Sequence, residues 1–185
     1  MDKTSHTETH RTFLIEGLPD PLTRASAHIQ IFDNYIAGTR LRLRAVRDPE
    51  TAVWTRILQQ RFPVRDNDLS TFKLAEIYLN DAEYAHFEIF EGLEIRKNRY
   101  FHEFDGRNVG FDVFLGKLWG LNIARVEFDK PEEVTALEPP RFAVLEITND
   151  PFFLGESLAN TSFEDLRSHI SKYSEQVAAS KVADE

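Results

Sequence analysis

The most constraining feature of the sequence is the stretch Leu93–Phe128, whose alternating pattern is typical of three β-strands joined by short turns. Aromatic, aliphatic and β-branched residues alternate there with charged ones, and glycines mark the turns. Lys97 and Arg99 lie two residues apart on the first strand, as do Arg125 and Glu127 on the third, so each pair faces one side of its strand. A flat sheet would expose these charges to water. A sheet closed into a barrel would gather them in a polar tunnel.

Similar alternation elsewhere predicts a sheet of about eight strands. Most connections are too short for parallel crossovers, so we expect antiparallel order. The predicted fold is α+β, an eight-stranded antiparallel β-barrel with a few flanking helices. Outside the central stretch, strands are expected near residues 8–15, 28–36, 39–46, 52–62, 72–79 and 142–148.

Helix and loop signals lie between these strands. Asp20-Pro21 predicts a short helix with Asp20 as N-cap, and residues 63–70 read as a polar loop. Asn80 or Asp81 should cap a helix that continues to about Phe90. Two further helices are expected near residues 153–158 and 162–179, the second beginning at a capping box of Ser162 and Asp165.

Composition limits the function classes. The 185 residues fit one folded domain with 42% hydrophobic residues. The absence of cysteine excludes a disulfide framework, a zinc-thiolate site and a thiol nucleophile. A net charge of -9 disfavours broad contact with nucleic acid or an anionic membrane. The polar first twelve residues and the lack of a long apolar run predict a cytoplasmic protein.

A second charged strand follows the turn at Ala37-Gly38. Arg40, Arg42 and Arg44 alternate strictly with apolar residues, so their guanidinium groups share one face. This face is either in water or inside a barrel, and the strand alone does not decide. On the next strand, Arg56 shares a face with Trp54 and Leu58.

In this order, several segments resemble the CYTH superfamily of triphosphate tunnel metalloenzymes, over nearly the whole chain to about Asn160. The segments that carry the resemblance are the arginine strand 40–44, Ile-Arg-Lys-Asn-Arg-Tyr at 95–100, the run Asp-Val-Phe-Leu-Gly-Lys-Leu-Trp-Gly-Leu at 112–121, the strand 123–128, and Glu-Ile-Thr-Asn-Asp at 146–150. The residue pattern predicts a disordered lead over residues 1–7 and a C-terminal helix with a frayed tail over 161–185, and the resemblance implies a CYTH-like tunnel domain over 8–160 between them.

The resemblance also implies a tunnel whose inward cations bind a triphosphate and whose carboxylates hold Mg²⁺ or Mn²⁺. Guanidinium groups match phosphate bidentately, and these hard cations prefer oxygen ligands. The implied substrate-binding residues are Arg42, Arg44, Arg56, Lys97, Arg99 and Arg125. The implied metal ligands are Glu8, His10, Glu76, Glu127 and Glu146, of which Glu127 and Glu146 would also be catalytic.

The sequence departs from the family's opening signature, Glu-x-Glu-x-Lys. Glu8 keeps the first position, while His10 and Thr12 occupy the other two. Arg125 stands where a glutamate aligns, and Leu58 aligns with an expected lysine, for which Arg56 is the nearest substitute. These departures remove carboxylates and retain cations, which favours anion binding over metal catalysis.

Three functions remain open at this point. The first is a metal-dependent triphosphate phosphohydrolase of weak or altered activity. The second is a non-catalytic polyphosphate or nucleotide-binding protein, and the third is an adenylate cyclase-like activity. Each predicts a small-molecule triphosphate or polyphosphate as partner, without nucleic acid or membrane, and is compatible with a homodimer.

Overall fold

The computed structural model describes residues 3–90, 92–130 and 132–183. Within these ranges the chain forms nine strands and four α-helices. The strands are Lys3–Leu14 (β1), His28–Tyr35 (β2), Leu41–Arg47 (β3), Trp54–Arg65 (β4), Asp68–Leu79 (β5), Leu93–Phe104 (β6), Arg107–Phe114 (β7), Asn122–Phe128 (β8) and Leu145–Glu146 (β9). The helices are Asp81–Phe87 (α1), Glu132–Ala136 (α2), Gly155–Ala159 (α3) and Phe163–Ala183 (α4).

The sheet closes on itself through β1. Its order is β5-β4-β3-β2-β6-β7-β8-β1, and β1 pairs again with β5. The first part of β1, Lys3–Thr9, pairs with β5, and the second part, Thr9–Leu14, pairs with β8. All of these pairings are antiparallel, and β9 adds a short extra strand beside the end of β1. The predicted eight-stranded antiparallel barrel is confirmed.

An apolar cluster on the outer wall lies over strands β6, β7, β8 and β1. Phe13 and Phe111 are fully buried there, and Val134 of α2 packs against this cluster together with Leu22 and Phe142 from the loops. Because side chains alternate across a strand, burying one face outward leaves the other face directed into the barrel. Lys97 and Arg99 of β6, Asp112 of β7 and Arg125 of β8 therefore lie on the inner face.

Two predicted loops are instead parts of strands. The expected disordered lead is wrong for residues 3–7, which pair with β5, while residues 1 and 2 lie outside the described ranges. The expected polar loop at 63–70 is a hairpin, in which β4 runs to Arg65 and β5 begins at Asp68. Pro63 is tolerated in β4 because the pairing shifts register between Pro63 and Arg65.

The helix predicted after Asp20 is absent from the described residues. The segment forms isolated turns instead, with the Leu22 amide donating to the Pro19 carbonyl. The predicted cap at Asn80 is confirmed as a reciprocal capping box with Glu83, although α1 ends at Phe87.

The C-terminal segment lies over one end of the barrel. Leu158 of α3 and Leu166 of α4 are buried together with Phe114 and Leu118. The predicted cap of the last helix is confirmed, since the Asp165 amide donates to the Ser162 hydroxyl and the Ser162 hydroxyl donates to the Asp165 carboxylate. Across the described segments, no helix has both the length and the apolar content needed to cross a membrane.

Candidate functional site

A cavity of about 110 Å³, here called the tunnel cavity, lies inside the barrel. Among the described residues, six cationic and four carboxylate side chains line it, so its formal charge is positive. The cations are Arg42, Arg44, Arg61, Lys97, Arg99 and Arg125. The carboxylates are Glu8, Asp33, Asp112 and Asp150.

Asp112 fixes two of the cations on β6. Its carboxylate accepts from Lys97 Nζ at 2.6 Å and from Arg99 at 2.6 and 2.8 Å. Burial would raise the pKa of Asp112, but Arg99 and Lys97 outweigh it and hold that pKa far below its usual range. Burial also lowers the pKa of Lys97 to about 8, in spite of Asp112. These positions are thus set before any ligand arrives.

Asp33 holds the arginines of β3 in the way that Asp112 holds the cations of β6. Arg44 donates to both of its oxygens, at 2.6 and 2.7 Å, and Arg42 Nη1 lies 3.7 Å from Oδ2. Arg42 also donates to Gln59 Oε1 at 2.6 Å and to the Tyr35 hydroxyl at 3.2 Å. The side chains of β3 are therefore held against the wall of the cavity.

Glu8 is the centre of a second, less balanced group. Its Oε2 lies 2.8 Å from Arg125 Nη2 and 3.7 Å from Arg61 Nε. Although burial would raise the pKa of Glu8, Arg125 and Arg61 lower it to about 2. Burial, Arg125 and Arg42 together lower the pKa of Arg61 to about 9, as expected where cations outnumber their counterions.

Two guanidinium donors in this group are unsatisfied. Nε of Arg61 and Nε of Arg125 are buried, and neither has a hydrogen-bond partner among the residues that the structure describes. Nε of Arg125 lies 3.1 Å from Glu127 Oε1, so this contact is electrostatic and lacks the alignment of a hydrogen bond. Buried donors without partners are costly, and an anion in the cavity would satisfy them.

His10 lies beside this group and carries no charge at neutral pH. Only 4% of its surface is exposed, its ring stacks on Phe72, and its Nδ1 has no hydrogen-bond partner. Burial, followed by the charges of Arg125 and Arg61, lowers the pKa of His10 well below its usual value. Its ring thus presents one unpaired buried nitrogen.

Five of the six predicted substrate-binding residues line the tunnel cavity. Arg56 is the exception. It lies opposite Ala45 in the ladder of β3 and β4, on the outer face, where it pairs with Asp81 of α1 and contacts the ring of Tyr84. The proposal that Arg56 projects inward is wrong.

Of the five predicted metal ligands, Glu8 and His10 line the tunnel cavity and the other three do not. Glu8 lines the cavity, but Glu76 accepts from Gln59 and Thr4 outside the lining. Glu127 lies on the inner face with 60% of its side chain exposed. Glu146 is opposite Phe13 on the outer face and pairs with Arg11 at 2.5 Å, so the prediction that it lies in the cavity is wrong.

Several polar residues of the lining were missed from the sequence, among them Arg61, Asp33, Tyr35, Asp112 and Asp150. The inward face of β4 carries Gln59 and Arg61, one residue out of phase with the face that was predicted. Asp33 could have been found, because an acid that alternates with Ile31 and Tyr35 on one face of β2 requires a cation if that face is buried.

A divalent ion does not fit these side chains. Residues 3–90, 92–130 and 132–183 contain no group of three or more histidine or acidic residues suited to hold a metal. Arg125 lies between Glu8 of β1 and Glu127 of β8 and contacts both carboxylates. A divalent ion about 5 Å from a guanidinium would meet repulsion on the order of 5 kcal/mol at an effective dielectric near 20.

Comparison with known proteins gives a consistent picture. No family model matches the chain. An inorganic triphosphatase of Acetivibrio thermocellus is 33% identical over 73 residues, which make up 40% of this chain and 46% of that relative, less than half of its length.

The structural comparison supports the same fold. The crystal structure of the inorganic triphosphatase NE1496 has a TM-score of 0.57 at 23% identity and covers 83% of this chain and 95% of its own. A second structure of NE1496, described as a hypothetical protein, gives 0.57 at 22% identity, over 84% of this chain and 99% of its own. At this identity the likeness establishes the fold.

Proposed function

We propose that the chain, whose fold is that of the inorganic triphosphatase NE1496, is a triphosphate tunnel protein of the CYTH superfamily that binds a triphosphate in the tunnel cavity and hydrolyses it. The substrate proposed first is inorganic triphosphate. Both the sequence relative and the structural neighbour carry the name inorganic triphosphatase, which supports this choice.

The observation that carries the proposal is the excess of cations around an enclosed cavity. Asp112 and Asp33 neutralise part of the charge of β6 and β3, but the guanidinium groups of Arg61 and Arg125 retain unpartnered donors. A triphosphate supplies several anionic oxygens in a row. It would satisfy these donors and offset the mutual repulsion of the cations.

Hydrolysis would proceed by attack of water on a terminal phosphorus. The bridging P–O bond breaks, one proton of the water is released, and orthophosphate and pyrophosphate are formed. Phosphoryl transfer depends mainly on positioning and on cations that stabilise charge on the phosphate oxygens. We assign that task to Lys97, Arg99 and Arg44, and to His10 the role of accepting a hydrogen bond from the water.

A non-catalytic binder of polyphosphate is the second candidate, and one observation favours it. Glu8 and Glu127 are both engaged by Arg125, so neither is a free base for water. The cavity would then bind the anion without turning it over. Adenylate cyclase-like activity and the choice between Mg²⁺ and Mn²⁺ remain predictions that the same experiment tests.

The experiment is a phosphate-release panel with tripolyphosphate and ATP, in Mg²⁺, in Mn²⁺ and in EDTA, with cyclic AMP measured in the ATP samples. Arg99→Gln removes an inward cation, and Arg96→Gln removes an exposed one three residues away on the same strand. We expect the wild type and Arg96→Gln to release phosphate and Arg99→Gln to lose that activity. Tripolyphosphate binding in a calorimetric titration, without phosphate release in any condition, would select the non-catalytic candidate. A protein that neither binds tripolyphosphate nor releases phosphate would refute both candidates.

A further inference from the structure

Two neighbouring strands each carry a carboxylate on the inner face of the barrel. Glu8 belongs to β1 and Glu127 to β8, and these strands pair at His10 and Glu127. The guanidinium of Arg125 lies between the two carboxylates, with Nη2 at 2.8 Å from Glu8 and Nε at 3.1 Å from Glu127. One cationic side chain thus bridges both acids.

We propose that Arg125 takes the place of a divalent cation in this tunnel, so that the protein binds the metal-free triphosphate anion. This inference rests on the proposed function, because it specifies the form in which triphosphate occupies the cavity. It applies equally to a hydrolase and to a non-catalytic binder.

The first argument concerns the acids. A divalent cation in this site would need carboxylates that are free to ligate it, and magnesium bound through phosphates still uses one or two of them. Glu8 accepts from Arg125 and lies close to Arg61, so its charge is already matched. Displacing Arg125 from Glu8 would leave this largely buried guanidinium with only the exposed carboxylate of Glu127 as counterion.

The second argument concerns the donors. A metal ion on a triphosphate bridges and neutralises phosphate oxygens, and guanidinium groups do the same by charge-assisted hydrogen bonds. Arg125 and Arg61 each have a buried Nε–H without a partner beside the cavity. The site therefore offers fixed N–H donors where a metal-dependent tunnel would offer carboxylates.

The charge of the ligand provides the test. Tripolyphosphate complexed with Mg²⁺ carries less negative charge than the free anion, so a cavity lined by excess cations should bind it less tightly. Calorimetric titration at matched ionic strength should give binding in EDTA that is about threefold tighter or more than in excess Mg²⁺. Binding that needs Mg²⁺ would overturn this inference and leave the proposed function intact, whereas no binding in either buffer would overturn both.

A charge reversal tests the role of Arg125 without any triphosphate. Arg125→Glu would place a third carboxylate beside Glu8 and Glu127, and it should create a Mn²⁺ site detectable by electron paramagnetic resonance. Arg96→Glu, an equal charge change at an exposed position, and the wild type should bind no Mn²⁺ in the tunnel. Equal Mn²⁺ binding by the wild type and Arg125→Glu would contradict the proposal.

A milder variant covers the case in which Arg125→Glu does not fold. Arg125→Gln should weaken tripolyphosphate binding in EDTA by about tenfold, the size expected for one lost charge-assisted contact, and should make binding improve when Mg²⁺ is added. Unchanged binding in EDTA, with no gain from Mg²⁺, would also overturn the assignment.

Discussion

Replacing Asp112 by Asn should destabilise the protein while strengthening its response to phosphate anions. Asp112 is 4% exposed and accepts from both Lys97 and Arg99. Asparagine preserves the shape but removes the charge that compensates two buried cations. Breaking a buried ion pair from one side costs about 3–5 kcal/mol, which corresponds to a fall of roughly 6–20 °C in Tm for a chain of this size.

The same variant should gain more stability from ligand than the wild type does. Lys97 and Arg99 would no longer be shared with an internal carboxylate, so their charge would be fully available to the anion. A ligand at a hundred times its Kd adds about 2.7 kcal/mol to the free energy of unfolding. Saturating tripolyphosphate should therefore restore a large part of the lost stability.

Urea and thermal unfolding, each with and without tripolyphosphate, measure both effects. Glu94→Gln is the matched control, because Glu94 pairs with Arg96 on the solvent side of the same strand, and loss of an exposed pair costs less than about 1 kcal/mol. The reasoning fails if Asp112→Asn is as stable as Glu94→Gln, or if ligand raises its Tm no more than that of the wild type.

Three further predictions follow from the geometry of the site. Arg61→Gln should weaken tripolyphosphate binding by about tenfold in calorimetry, whereas Arg56→Gln on the outer face should leave it unchanged; equal effects would refute the inside–outside assignment. Because the pKa of Lys97 is about 8, affinity should fall as pH rises through that value, and Lys97→Arg should remove the fall in a pH series of titrations. The pKa of Glu8 is lowered from 4.5 to about 2, so its contribution to stability is complete above pH 4.5 and lost as pH falls through 2. In Glu8→Gln the free energy of unfolding should therefore depend less on pH over that window. An acid transition identical to that of the wild type would contradict the pairing of Glu8 with Arg125.

The barrel was predictable because strand alternation has a period of two, which determines which residues share a face. Arg42 with Arg44, and Lys97 with Arg99, needed only this rule and closure of the sheet to converge. The phase of β4 could not be read in the same way, because this strand carries an arginine on each face. Arg56 and Arg61 differ only in what surrounds them after folding, namely Asp81 outside and Glu8 inside.

The acidic part of the site could not be predicted from the sequence in this way, because it depends on contacts between residues that lie far apart in the chain. Glu146 pairs with Arg11, which is 135 residues earlier in the chain, and the two-residue strand β9 is too short for a pattern to fix its orientation. Glu127 was correctly placed on the inner face, but its exposure depends on where the mouth of the barrel falls. Arg125 between Glu8 and Glu127 was likewise visible only after β1 and β8 had been paired.

The most direct test of tunnel binding is a crystal structure of the protein with tripolyphosphate, grown in EDTA. We predict phosphate oxygens inside the barrel, within hydrogen-bond distance of Nε of Arg61 and Nε of Arg125, and an intact contact between Arg125 and Glu8. Tripolyphosphate bound only at outer arginines such as Arg56 or Arg96, with the tunnel cavity free of it, would contradict the central claim.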